Sequence, residues 1–315
     1  MKLQTHIPLQ PELDQIDYES QTLLMGSCFT ENIGERLRFF KFQALVNPFG
    51  IVFHPLAIEK LVTRAINEDP YTELDLVFQN EQWHCFEVHS SLSHDQKDEL
   101  LSGLNQRLKQ LQEYLFTVTH IVFTYGTAWA YRYIETDAIV ANCHKLPQKK
   151  FLKELLTVEE ITVSIENTLI LIKDVNPQVK FVHTISPVRH LKDGFVENSI
   201  SKAHLISGLH ELIAPIKRSC YFPAYEIMMD ELRDYRFYNE DMVHPNKTAI
   251  TIIWEQFKCV WIAPETEELQ KEVASIQTSL LHRPFNPESA AHQLFLKNLD
   301  QKIVLVKRRL PNVKF

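Results

Sequence analysis

Short runs of consecutive apolar residues, each cut off by a glycine or proline turn and followed by a stretch of helical period, recur along this chain and narrow its fold more than any other feature. The runs are Leu23-Leu24-Met25 before Gly26, Ala44-Leu45-Val46 before Asn47-Pro48-Phe49-Gly50, Thr119 to Thr124 before Gly126, Lys180 to Ile185 before Ser186-Pro187, and Cys220 to Glu226. Between them lie helical periods at Glu31–Leu37, Pro55–Ile66, Asp98–Leu115, Glu159–Val175, Leu205/Leu209/Ile213 and Pro245–Val260. Runs without polar alternation are buried on both faces, which strands achieve when helices cover both sides of a parallel sheet. The pattern predicts an α/β fold: three α/β/α layers around a parallel sheet of about five strands.

Tyr71 to His89 carries β-branched and aromatic residues around Asn80-Glu81 and predicts a hairpin, within an insertion spanning about 67–118 that forms a lid region. Residues 127–160 read as a long irregular stretch rich in aromatics, of the kind that covers or lines a site. Past Pro264 the chain reads as a helical appendage over 261–315, helical around Leu269–Leu281 and strand-like over Lys302–Leu310, packed on a catalytic domain of 1–260. The last helix is expected to begin at Pro245, directly after His244.

Composition excludes several functions. A net charge of −7, with lysines and arginines scattered, disfavours a nucleic-acid binder. The first residues lack the apolar core of a signal peptide and no run of about 18 apolar residues suggests a membrane span; the expectation is a cytoplasmic protein without membrane partners. Five widely spaced cysteines, an odd number with no Cys-x-x-Cys pair, predict reduced thiols. His84, Cys85, Glu87, His89 and His94 match no common metal spacing, and no dinucleotide or phosphate-loop motif occurs, so neither metal nor cofactor is expected.

Chemistry concentrates at two places far apart in sequence. Gly26-Ser27-Cys28 places a nucleophile where a strand turns into a helix, so the helix's first amides face a developing anion and the dipole favours a thiolate at Cys28. Ser27 is the alternative nucleophile; the plain structural reading makes Ser27 an N-cap and Cys28 a small buried apolar residue. Asp241-Met242-Val243-His244 supplies a carboxylate that can orient an imidazole from three residues away, unless Asp241 merely caps the next helix. Oxyanion donors are sought at the Gly50 amide and the side chains of Asn47 and Asn142, which could equally hold their own turns. Arg189 and His190, just past a strand end, are candidates to point into the cleft.

Gly26-Ser27-Cys28-Phe29-Thr30 is similar to the signature of the GSCFA domain family. The likeness continues through Asn47-Pro48-Phe49-Gly50, Gly126-Thr127-Ala128-Trp129, Asn142-Cys143-His144, Ser186 to His190, Ser201-Lys202 and Phe222 to Glu226, and ends at Asp241 to Pro245. That family resembles the SGNH or GDSL hydrolases, which implies a flavodoxin-like three-layer fold and esterase or acyl-transfer activity on a small acyl ester or carbohydrate. Laid over the first hydrolase block, Cys28 meets the nucleophilic serine, while Asp241 and His244 meet the last block. The third block, which carries an asparagine, meets Gly126 to Trp129, where the asparagine is absent; Trp129 and His89 are expected to border the pocket. The implied chemistry is proton removal from Cys28 by His244 and an acyl-enzyme on sulfur. A silent carbohydrate- or acyl-binding domain is the alternative.

Overall fold

The computed structural model describes residues 4–213, 218–311 and 313–315. Strands β1 (Gln21–Gly26), β2 (Gln43–Val46), β5 (His120–Tyr125), β9 (Lys180–Ile185) and β10 (Ser219–Tyr221) form one sheet in the order β10-β9-β5-β1-β2. Each adjacent pair is parallel. Along the chain this is the doubly wound order 2-1-3-4-5, whose switch point lies beside β1.

Alternate side chains of these strands enter different cores. Leu23, Met25, Ile121, Phe123, Phe181 and Ile185 join a cluster with helices α2 (Pro55–Ile66), α3 (Lys97–Thr117), α4 (Val158–Val175) and α5 (Phe195–Ile213). Leu24, Val122 and Val182 join one with α1 (Cys28–Phe39) and α7 (Lys247–Trp261). The three layers are therefore written in the period of the strands. Trp254 on α7 is among the largest fully buried side chains, and truncating it to alanine is expected to cost about 3–5 kcal/mol.

Local chemistry explains the boundaries. Pro55 occupies the first turn of α2, where its missing amide hydrogen costs nothing, and His54 caps the helix. Thr157 and Glu160 close a capping box on α4. The expected hairpin is β3 (Leu76–Gln79) with β4 (Gln82–Cys85), and its two-residue turn places both Asn80 and Glu81 at positive φ. Within the expected 67–118 insertion, α3 belongs to the layered frame, because it joins the helices that cover the sheet.

Four expectations change. Residues 127–160 are not irregular: β6 (Trp129–Tyr133), β7 (Ala138–Val140) and β8 (Phe151–Leu155) form an antiparallel sheet. Its buried Tyr133, Val140 and Phe151 pack with Phe86 of the hairpin segment, so the aromatics of both insertions cover each other. The fifth strand stops at Tyr221, as Pro223 leads into the short turn α6 (Ala224–Glu226) and a π-helical turn over Ile227–Glu231. The last helix of the layered fold starts at Lys247, two residues later than expected, because the Asn246 side chain caps it while Pro245 bridges to Tyr238. Finally, α8 (Glu267–Leu280) and α9 (Ala290–Arg309) form a helical hairpin, so Lys302–Arg309 is helix. Leu299, Ile303 and Val306 recur at spacings of four and three and meet Val273 and Ile276 of α8, which overrides the β-propensity of the Ile303-to-Val306 run.

Candidate active site

Three strands deliver chemistry to the carboxyl edge of the sheet. At the end of β1, Gly26 has φ +144, and a Cβ there would lie 2.1 Å from the Thr124 carbonyl oxygen of β5, so glycine is required. The Gly26 N–H donates to Asn47 Oδ1 at 2.9 Å, and the Ser27 N–H to the Thr124 carbonyl at 3.0 Å. Ser27 is fully buried and caps α1, its Oγ accepting from the Phe29 N–H at 3.3 Å. Cys28 follows as the first helical residue and is partly exposed.

The helix start does not leave Cys28 acidic. Burial pushes its thiol above the ordinary value, outweighing the pull of its own amide, of the Lys202 ammonium and of the Phe29 amide. The first two helical amides nevertheless lean toward the sulfur, where an anion would form.

The Asp241-His244 segment sits across the same edge. His244 Nδ1 lies 2.6 Å from Asp241 Oδ2, and Asp241 Oδ1 accepts from the Val243 and His244 N–H groups at 2.9 and 3.0 Å. Asp241 therefore caps its own loop rather than α7. The amides of His244 and Val243, then the imidazole, hold its carboxyl down at about 2. Because a carboxylate only accepts, Nδ1 carries the proton and Nε2 is the free face of a half-exposed ring. Cys28 and His244 are not hydrogen-bonded to each other.

Arg189 fastens this loop. Its backbone N–H donates to the Val243 carbonyl at 3.2 Å, its Nη2 donates to the Met242 carbonyl, and its guanidinium stacks 4.3 Å from the Tyr238 ring. It orients the histidine loop and does not present an open anion site.

The other expected site residues are held in structural roles. Asn47 sits at φ +42 with Nδ2 donating to Glu31 Oε1 at 2.6 Å, so its amide clamps the nucleophile turn. The Gly50 N–H donates to the Asn47 carbonyl at 2.8 Å and is no oxyanion donor; Gly50 is needed for its φ of +73 and because a Cβ would meet His89 Cβ at 2.4 Å. Asn142 Oδ1 accepts from the His144 N–H at 2.9 Å within its own turn. Trp129 donates from Nε1 to the Glu197 carbonyl at 3.3 Å, under the Lys153 ammonium 4.4 Å from its ring. His89 packs on the Gly50 turn, its Nδ1 2.9 Å from Ser91 Oγ. Among the described residues no cluster of three or more His, Cys, Asp or Glu side chains could hold a metal ion.

At this edge Lys202 was not anticipated as a site residue, whereas His190 was expected near the cleft. Lys202 of α5 is 1% exposed, and its Nζ donates to the carbonyls of Gly126 and Ser186, both at 2.7 Å, where β5 and β9 end. Burial brings its ammonium down to about 7, against a smaller opposing pull from Cys28. His190 lies between Lys202 and His244, its ring edge-on to Phe53 with centroids 5.4 Å apart. Burial, then Lys202 and His244, brings the His190 imidazole down to about 3, so it is neutral at ordinary pH. The signal for Lys202 was its spacing: it shares the apolar stripe of Leu205 and Leu209, where a charge is out of place.

A doubly wound α/β protein with a thiol at the end of its first strand, a carboxylate-bound imidazole on a loop beside the end of β9 and a buried lysine between the ends of β5 and β9 is thus defined. The profile described as the GSCFA family matches residues 21–257, and the chain belongs to that family. A second, the C-terminal domain of GSCFA domain proteins, matches residues 273–315, the α8–α9 region. No curated protein matches the chain. Among solved structures, a carbohydrate esterase family 3 protein from Talaromyces cellulolyticus is 11% identical, covering 80% of this chain and 99% of its own, with a TM-score of 0.32. A serine-to-alanine mutant of an acetyl esterase with acetate ion is 12% identical, covering 81% and 99%, with a TM-score of 0.31.

Proposed function

We propose that this chain is an esterase or acyl-transfer enzyme of SGNH-like type, acting on a small O-acyl substrate through an acyl-enzyme on Cys28. Acetylated carbohydrate is the first class to test. The observation that carries the reading is a partly exposed thiol at the helix start after β1, together with an imidazole bound to a carboxylate at 2.6 Å on the loop that Arg189 fastens beside the end of β9. Ser27, sealed and engaged as a cap, is the poorer nucleophile.

In this scheme sulfur attacks the acyl carbonyl while the Cys28 amide faces the oxyanion. His244, its tautomer set by Asp241, serves as the acid–base group: Nε2 takes the proton that the Cys28 thiol loses, passes it to the departing alcohol, and then takes the proton of the water or second alcohol that resolves the acyl-enzyme.

One observation favours a silent binding domain instead. The amides of Gly50 and Gly126 are both committed to backbone carbonyls, which leaves the oxyanion few donors. A screen of short-chain aryl esters and acetylated sugars against wild type, C28A, S27A and H244A separates the readings. Turnover lost in C28A and H244A supports the enzyme. Turnover that survives C28A and disappears in S27A moves the nucleophile, and absence of turnover on every ester and sugar supports the silent domain.

A further inference from the structure

A small closed cavity lies between the start of α1 and the sheet, and three threonines line it. Thr30 comes from the first turn of α1, Thr124 from β5 and Thr184 from β9. Every lining residue is at most 3% exposed, and the other lining side chains are apolar, among them Phe29, Phe222 and Phe257. None of the three threonine hydroxyls has a hydrogen-bond partner among the described residues. Buried hydroxyls are ordinarily paired, with protein or with ordered water, because leaving one unmatched forfeits its hydration.

The fold explains why protein does not supply the partner. Thr162, Thr168 and Thr251 each donate to the carbonyl four residues back on their own helices. For Thr30 that carbonyl belongs to Gly26, which precedes α1 and accepts from the Val52 N–H at 3.1 Å. Thr124 and Thr184 are register partners two residues beyond Val122 and Val182, so their side chains stand next to each other on the α1 face of the sheet. The cavity gives about 10 Å³ to the centre of a water molecule, the size that admits one water. A buried water makes about three hydrogen bonds, and three hydroxyls that each donate or accept supply that number. The volume excludes an acyl chain, and a lining without a charged side chain excludes an ion.

We infer that this cavity is a binding site for a single water, which bridges Thr30, Thr124 and Thr184 and ties the first turn of α1 to the ends of β5 and β9. Thr124 also carries the carbonyl that accepts the Ser27 N–H at 3.0 Å, so the bridge supports the strand-to-helix turn from beneath. Thr30 stands two residues after Cys28 on the same turn. The inference holds whether or not the chain turns over an ester.

The test is a crystal structure of the full chain together with denaturant unfolding of wild type, T30V, T124V, T184V and the triple variant. One density peak should lie within about 2.5–3.0 Å of all three Oγ atoms. A cavity without density, or hydroxyls turned onto carbonyls, overturns the inference. Valine keeps the branched shape of threonine and replaces only the hydroxyl. With water in place, each single variant removes one of its partners and should raise the unfolding constant about fivefold. The triple variant has nothing left to hold the water, so its deficit should be smaller than the three single deficits combined. If the hydroxyls stand unpaired in a dry cavity, each valine removes an unmatched group and lowers the unfolding constant, which overturns the inference. Oxygen-17 relaxation of the solvent reads the same difference in the folded state: wild type should hold one more long-lived water than the triple variant, and equal numbers overturn it. Where a variant does not fold, the wild-type density decides alone.

Discussion

Replacing Asn47 separates two roles for that amide, a donor to an oxyanion or a clamp on the turn that carries Cys28. In the clamp, Oδ1 accepts the Gly26 N–H at 2.9 Å, Nδ2 donates to Glu31 at 2.6 Å, and the backbone sits at φ +42. N47A orphans a buried amide, worth about 1–3 kcal/mol, and leaves left-handed backbone without the polar side chain that lets asparagine tolerate it, about 1 kcal/mol more. The sum is about 2–4 kcal/mol. N47G keeps the first loss and removes the second, so it should be more stable than N47A by about 1 kcal/mol. N47D keeps the acceptor but turns a carboxylate oxygen toward Glu31; its deficit should shrink as pH falls and one carboxyl takes a proton. Guanidinium unfolding with a common slope measures all three. An N47A protein within about 0.5 kcal/mol of wild type, or one that keeps its stability and loses only turnover, refutes the clamp and restores the oxyanion role.

Other outcomes follow from the same edge. Asp241 is held at about 2, below its ordinary 3.8, so its stabilising contribution is full above that ordinary value and disappears as pH falls toward 2. The pair is half exposed and screened, so D241N should cost about 1 kcal/mol at neutral pH, converging with wild type in acid-unfolding curves near pH 2; its esterase rate should fall on the order of a thousandfold through the wrong tautomer. R189A removes the strap on Met242 and the stack on Tyr238, and should lower kcat on any accepted ester at least about tenfold with little change in melting temperature. G126A would press a Cβ to 3.2 Å from the Phe53 ring and 3.3 Å from His190 Nε2; calorimetry should record a loss of about 1–2 kcal/mol.

The sheet and its helices were legible because burial on both faces leaves unbroken apolar runs, as in Leu23-Leu24-Met25 and Lys180 to Ile185. The glycine turn at Gly26 and the Asp241-His244 pair were legible because each is local: a glycine beside a thiol, a carboxylate three residues from an imidazole. What depends on a distant partner was not. The Gly50 amide looked free until the Asn47 carbonyl was found opposite it. Trp129, Tyr131 and Tyr133 alternate as a strand does, but their partners Phe151 to Leu155 lie beyond a loop that gives no pairing signal. Lys202 stands on the apolar stripe of Leu205 and Leu209, but its two acceptors, the carbonyls at the ends of β5 and β9, are distant in sequence and gave no signal.

The C-terminal hairpin reaches the sulfur through a rod. Helix α1 has 12 residues, a stiff length of about 18 Å. Cys28 begins it, and at its other end the Phe39 carbonyl accepts from Gln277 of α8 at 3.2 Å, while Lys41 lies 5.3 Å from the Phe315 ring. A rod gripped at its butt cannot swing at its tip. The last segment of the chain, far from any reacting atom, thereby helps to aim the thiol.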